Sequence, residues 1–264
     1  IALDGGEPVH SPILHSRIGS YWNIIIGYTI GSGIFPTGGE AEHWIPHYQE
    51  RHGGIFLGMV RSGGDTFNFW TGPERVNPLY GTRYTLDALR RDEPERALLS
   101  LYGTLAHGLT RNTFVGGEGC TLRPVDAEGR FFYCPPNSAA SAHVLSMVRQ
   151  LLVQEWDLDD DGRPETLRLM FGTSRRWLEA GKKIRVERTP TAWGDVGATL
   201  ESRLSAGEVI ATVDLPSRQT PTRTLLRARV PEGWAVTGAN ATGRKLAADP
   251  RGTVDLTGLS GRQI

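Results

Sequence analysis

The feature that most constrains this chain is a change of composition part-way along it. All seven His, all seven Tyr and seven of the eight Phe precede residue 145, whereas the three Lys (Lys182, Lys183 and Lys245) follow residue 180. A uniform domain has no reason to sort residue types in this way, so the 264 residues read as two domains of ordinary size. The acidic run from Asp157 to Pro164 marks the seam and gives one domain over 1–160 and another over 161–264. The 29 cationic side chains, all but the three Lys being Arg, balance 29 acidic ones. Zero formal charge excludes the broad basic footprint of a nucleic-acid binder. The longest apolar stretch, 24–35, is broken by Gly27, Gly31 and Gly33. It falls short of the ~20 residues that a membrane-spanning helix needs.

The first part reads as helical. Helices are expected over 17–35, 40–51 with Pro46 as a kink, 80–91, 94–109 and 137–156. The last has Asn137 or Ser138 as its cap and Ala142, Leu145, Val148, Leu151 and Leu152 as an apolar stripe. Between them lie long Gly- and Pro-rich segments, 31–39, 61–78 and 110–136, which read as functional loops. The second part reads as short strands over 166–171, 183–188, 198–204, 208–215 and 224–230, in the rhythm of a small antiparallel β-sandwich.

Three motifs then carry a resemblance. They are the run from Arg130 through Tyr133, Cys134, Pro135 and Pro136 to Asn137, the run from Trp177 to Ile184, and the run from Thr191 to Val196. In layout and loose motif they resemble the closing section of six-hairpin glycosidases, such as bacterial α-L-rhamnosidase-like and α-L-fucosidase-like enzymes. The resemblance implies an α+β two-domain fold, an (α/α)6-toroid-like helical body followed by a C-terminal β-sandwich. Twelve helices complete such a toroid, and this sequence offers five or six. The expectation is therefore about half a toroid, with the missing N-terminal half of the same protein as its natural partner. The absence of an initial Met and the loop-like final residues fit a piece of a longer chain.

Glycoside hydrolysis requires two carboxyl groups across the scissile bond, one protonated and one ionised. Carboxylates on Gly-rich loops are the natural candidates, because backbone there can approach a sugar. Glu118, set among Gly116, Gly117 and Gly119, comes first, followed by Glu40, Glu42 and Asp65. A turn carboxylate holding a backbone amide, or an acid placed by a helix dipole, would leave the same signature. Trp22, His43, Arg61, Trp70, Glu74, Tyr80 and Tyr133 lie beside these loops as candidate substrate contacts, the rings for stacking on sugar C–H faces. His43 and His47, at i and i+4, lack the intervening Glu of a zinc-protease helix and read as the polar lining of a cleft. Asp157, Asp159, Asp161 and Glu165, with Gly162 in sixth place, resemble the front of a calcium loop. The twelfth position is Arg168 rather than Glu, which excludes a standard EF-hand and leaves a short structural calcium loop or a solvated linker. Cys120 and Cys134 bracket one loop and would close it as a disulfide in an oxidising compartment, at ~3 kcal/mol of stabilisation.

The functional expectation is a secreted or periplasmic bacterial glycosidase of plant or microbial polysaccharide, with a carbohydrate substrate and no cofactor for catalysis. One alternative is a polysaccharide lyase of toroid type, with Tyr21, Asn23, His43 and Arg61 supplying proton abstraction and carboxylate neutralisation. The other is a non-catalytic carbohydrate-binding fragment.

Overall fold

The computed structural model describes residues 24–51, 54–62, 75–125, 127–157, 161–216 and 219–264. The chain divides into two compact units, with the boundary between Val148 and Arg149.

In the first unit, helix α1 (Glu40–Arg51) runs through the buried Pro46. A five-stranded antiparallel sheet follows in chain order: β1 (Ile55–Phe56), β2 (Met59–Ser62), β3 (Arg75–Asn77), β4 (Gly119–Thr121) and β5 (Phe132–Tyr133). Helices α2 (Thr82–Arg90) and α3 (Pro94–Gly103) lie in the connection between β3 and β4, and α3 runs on into a wider π turn over Thr104–Gly108. The β1–β2 turn sits directly on α3. A Cβ at Gly58, where φ is +74°, would lie 2.4 Å from Ser100, so only glycine fits there, and the Ser100 hydroxyl closes the contact by donating to the Gly58 carbonyl. Helix α4 (Ser138–Leu152) begins where the Asn137 side chain accepts from the Ala140 amide at 3.0 Å, which settles the cap on Asn137.

The second unit is built of strands. One sheet is ordered β15-β10-β9-β8 and is antiparallel throughout: β8 (Lys183–Thr191), β9 (Gly194–Arg203), β10 (Glu208–Leu215) and β15 (Gly261–Gln263). The other is ordered β14-β11-β7-β6, from β6 (Val153–Trp156), β7 (Thr166–Leu169), β11 (Arg223–Arg227) and β14 (Thr253–Asp255), with β7 and β11 parallel. A hairpin of β12 (Ala239–Ala241) and β13 (Arg244–Leu246) completes it. Strand alternation sends Leu167, Leu169, Leu226 and Val254 of one sheet and Ile184, Val196, Ala198, Leu200 and Val213 of the other into one apolar core.

The toroid expectation, in whole or half, is overturned. Among the described residues there are four α-helices, each of 15 residues or fewer, and four sheets, and the mixed α/β first unit carries a five-stranded sheet. The segments read as loops over 61–78 and 110–136 contribute β2 to β5, strands of two to four residues, too short to display a period in sequence. The expected helix to residue 156 stops at Leu152, where Val153 turns into β6 and pairs with Leu169. The buried stripe of α4 is Ala140, Met147 and Leu151 with His143, whereas Leu145 is 73% exposed.

Candidate functional site

Glu118 immediately precedes β4, beside the end of β5, and close packing around it explains its glycines. A Cβ at Gly117 would fall 2.7 Å from the Tyr133 carbonyl oxygen, and one at Gly119 would fall 2.3 Å from the Asn77 side chain. The Glu118 amide donates to the Tyr133 carbonyl at 2.9 Å, and the Tyr80 hydroxyl donates to Glu118 Oε1 at 2.8 Å. Tyr80 comes from the 3-10 turn Pro78–Gly81 that leads into α2, and Tyr28 meets it edge-on with ring centroids 6.0 Å apart. Burial raises the Tyr28 phenol above its usual range; Arg83 opposes this and the Glu118 charge adds to it. On the other side Tyr133 is raised by its hydrogen bond to Cys134, with a contribution from Glu118 and an opposing one from Arg75. One half-buried carboxylate is therefore bordered by three tyrosines, with two arginines acting on the same rings. Tyr80 thus fixes one oxygen of a carboxylate, the type of group that serves as base or nucleophile.

Glu42 has a different setting. It is fully buried on α1, accepts from the Gly31 amide and from the Gly38 amide at 2.7 Å, and holds Arg90 at 3.0 Å. Its oxygens anchor the 31–38 segment to α1 and α2. Glu40 is exposed in the first turn of α1. His43 faces Asp87, which is fully buried: Nδ1 of His43 lies 2.6 Å from Oδ1, and Arg91 Nε donates to Oδ2 at 2.7 Å. Burial raises the Asp87 carboxyl, and Arg91 and then His43 pull it back. Arg91 also reaches His47 Nε2 at 3.1 Å. Asp87 was not among the residues singled out from sequence. The available signal is an acid at a position of α2 flanked by buried Tyr84, Ala88 and Leu89. Arg61 lies half-buried on β2, opposite Val76 of β3. Trp22, Asp65, Trp70, Glu74 and Asp159, with Tyr21 and Asn23, lie outside the described residues.

The two cysteines are free thiols, Cys120 buried and Cys134 exposed. Burial pushes the Cys120 thiol up to about 11, against the pull of Arg130. In the second unit, one carboxylate oxygen each of Asp157, Asp161 and Glu165 lie within 4.8 Å of one another. Asp157 and Asp161 also accept from the Gly162 and Arg163 amides at 2.8 Å and 2.7 Å. No helix among the described residues is long and apolar enough to cross a membrane. Comparison with protein-family models finds no match, and comparison with curated proteins finds none.

Proposed function

We propose that this is a carbohydrate-active protein in which Glu118 is the proton-transferring or nucleophilic carboxylate of a glycoside-hydrolysing site. The observation that carries the reading is the Glu118–Tyr80 hydrogen bond at the glycine-packed start of β4, bordered by Tyr28 and Tyr133. Sugars are recognised by that combination: rings to stack on C–H faces, arginine and phenol donors for hydroxyls, and a fixed carboxylate. Substitution Glu118→Gln keeps the shape and removes the charge. Turnover of the best glycoside in a panel is expected to fall by about 10²–10⁴-fold with the melting temperature unchanged. Unaltered turnover would reject the assignment.

The non-catalytic reading, sugar binding without cleavage, is favoured by one fact. Glu42, a second carboxylate put forward for catalysis, has its oxygens committed to Gly31, Gly38 and Arg90. Under that reading Glu118→Gln weakens oligosaccharide binding and the wild type shows no turnover. A calcium ion at Asp157, Asp161 and Glu165 is a separate proposal, supported by their convergence within 4.8 Å. Millimolar calcium is then expected to raise the melting temperature by a few degrees, reversibly on chelation, through preferential binding to the folded state; no shift would leave the loop an acidic turn.

A further inference from the structure

The β14-β11-β7-β6 sheet has one face in the apolar core, and its other face carries a row of charged residues at alternate positions. Along β11, Thr224 and Leu226 are buried between Arg223, Leu225 and Arg227, and the neighbouring strands place Arg168 opposite Leu225 on one side and Asp255 opposite it on the other. A pocket of about 440 Å³ opens on this face, lined by Arg168, Phe171, Arg223, Arg227, Asp249 and Asp255 among others. That volume is within the range of small-ligand sites, ~300–1,000 Å³.

The arginines are held before any ligand arrives. The Arg168 guanidinium lies 4.0 Å from the Trp156 ring centroid and 5.2 Å from that of Phe171. Arg227, only 5% exposed, lies 4.0 Å from the Phe171 ring, and its Nε donates to the Thr253 hydroxyl at 2.8 Å. Stacking fixes the plane of a guanidinium and leaves its N–H groups directed within that plane, the geometry that grips a carboxylate. The two aspartates are held by their own turns: Asp249 accepts from the Arg251 and Thr253 amides, and Asp255 from the Thr257 amide. Arg223, which is more than half exposed, reaches Asp255 at 3.5 Å and is the most exposed of the three arginines. Three arginines against two aspartates leave one excess positive charge in the lining. Ala247 and Ala248 add an apolar wall.

We propose that this pocket binds a sugar acid, a monoanionic, polyhydroxylated ring whose carboxylate is gripped by the arginines and whose hydroxyls are taken by the aspartates. A single excess charge favours one carboxylate over a multiply charged phosphate, and the apolar wall accepts the C–H face of a ring. The ligand class leans on the carbohydrate reading of the protein, but the site is separate from Glu118.

The test is NMR titration of the full chain with D-glucuronate, D-glucose and inorganic phosphate. Glucuronate is expected to shift the Arg Nε–H resonances of the pocket and the amides of 247–249, with at least tenfold weaker responses to glucose and phosphate. Arg223→Gln, at an exposed side chain, is expected to weaken glucuronate binding about tenfold, and added salt to weaken it further. Glu118→Gln is expected to leave it unchanged, so the failure of one site does not decide the other. No shift at millimolar glucuronate, an equal response to glucose, tighter binding of phosphate, or full binding by Arg223→Gln would each overturn the proposal.

Discussion

The two units solve the same problem, an interior that excludes water, by different means. In the second, alternating strands fill one continuous apolar core between two sheets, and the charged row of Arg168, Arg223 and Arg227 is kept on the face away from it. In the first, two carboxylates are fully buried, Glu42 and Asp87, and each is compensated by an arginine and by backbone or imidazole donors. Burying a charge costs several kcal/mol unless it is paired in this way, so such networks fix geometry more than they add stability. They tie the 31–38 segment and α1 to α2, the helix that follows the Tyr80 turn. The unit with the two buried carboxylates is also the one that positions a carboxylate among tyrosines.

That contrast can be broken by substitution. Glu42→Gln leaves the half-buried Arg90 without its charge partner at a fully buried site and is expected to cost the first unit roughly 3–5 kcal/mol. Amide exchange in α1 and α2 should accelerate while β7 and β9 keep their protection. Leu169→Ala, a cavity in the core of the second unit, is expected to cost about 2–5 kcal/mol and to show the opposite exchange pattern. If both substitutions loosened both units equally, the distinction would fail.

Acid sharpens it. Burial lowers the His143 imidazole to about 4, and the ring bonds the Thr82 hydroxyl at 2.7 Å. Because the folded value lies below the unfolded one of about 6.5, the unfolded chain binds the extra proton first. Stability of the first unit should therefore be intact above pH 6.5 and decline as pH falls towards 4, by roughly 2–3 kcal/mol from this group. In His143→Gln the denaturation midpoint should vary less over that range. Smallest is a reactivity difference: at pH 8 a thiol reagent should modify Cys134 and spare Cys120, with both modified in denaturant.

Much of this was legible where a pattern is local. Helix 40–51 and strand 208–215 span the residues expected of them. Helix α4 could be found but not oriented, since two apolar stripes run along it and tertiary contacts, such as Ala140 on Gly116 and Leu151 on Gly172, select one. Strands β2 to β5 were hidden because each spans a few residues and owes its existence to pairing with distant segments, as Val76 does with Cys120. The toroid expectation failed for that reason: the helices carry apolar signals in the sequence, and the sheet between them has no local signature. Glu118 stood out through its glycines. Asp87 did not, because its local signal, the neighbouring Tyr84, Ala88 and Leu89, does not say which face of α2 is buried.

Glu118 and its tyrosines are proposed as a sugar site. Amide hydrogen exchange of the wild type and Glu118→Gln, each with and without the best-bound neutral oligosaccharide, tests it most directly. Ligand protection is expected across Gly116–Cys120 and the Pro78–Gly81 turn in the wild type, with its loss or sharp weakening in the variant. Protection confined to other segments, or unchanged by Glu118→Gln, would contradict it.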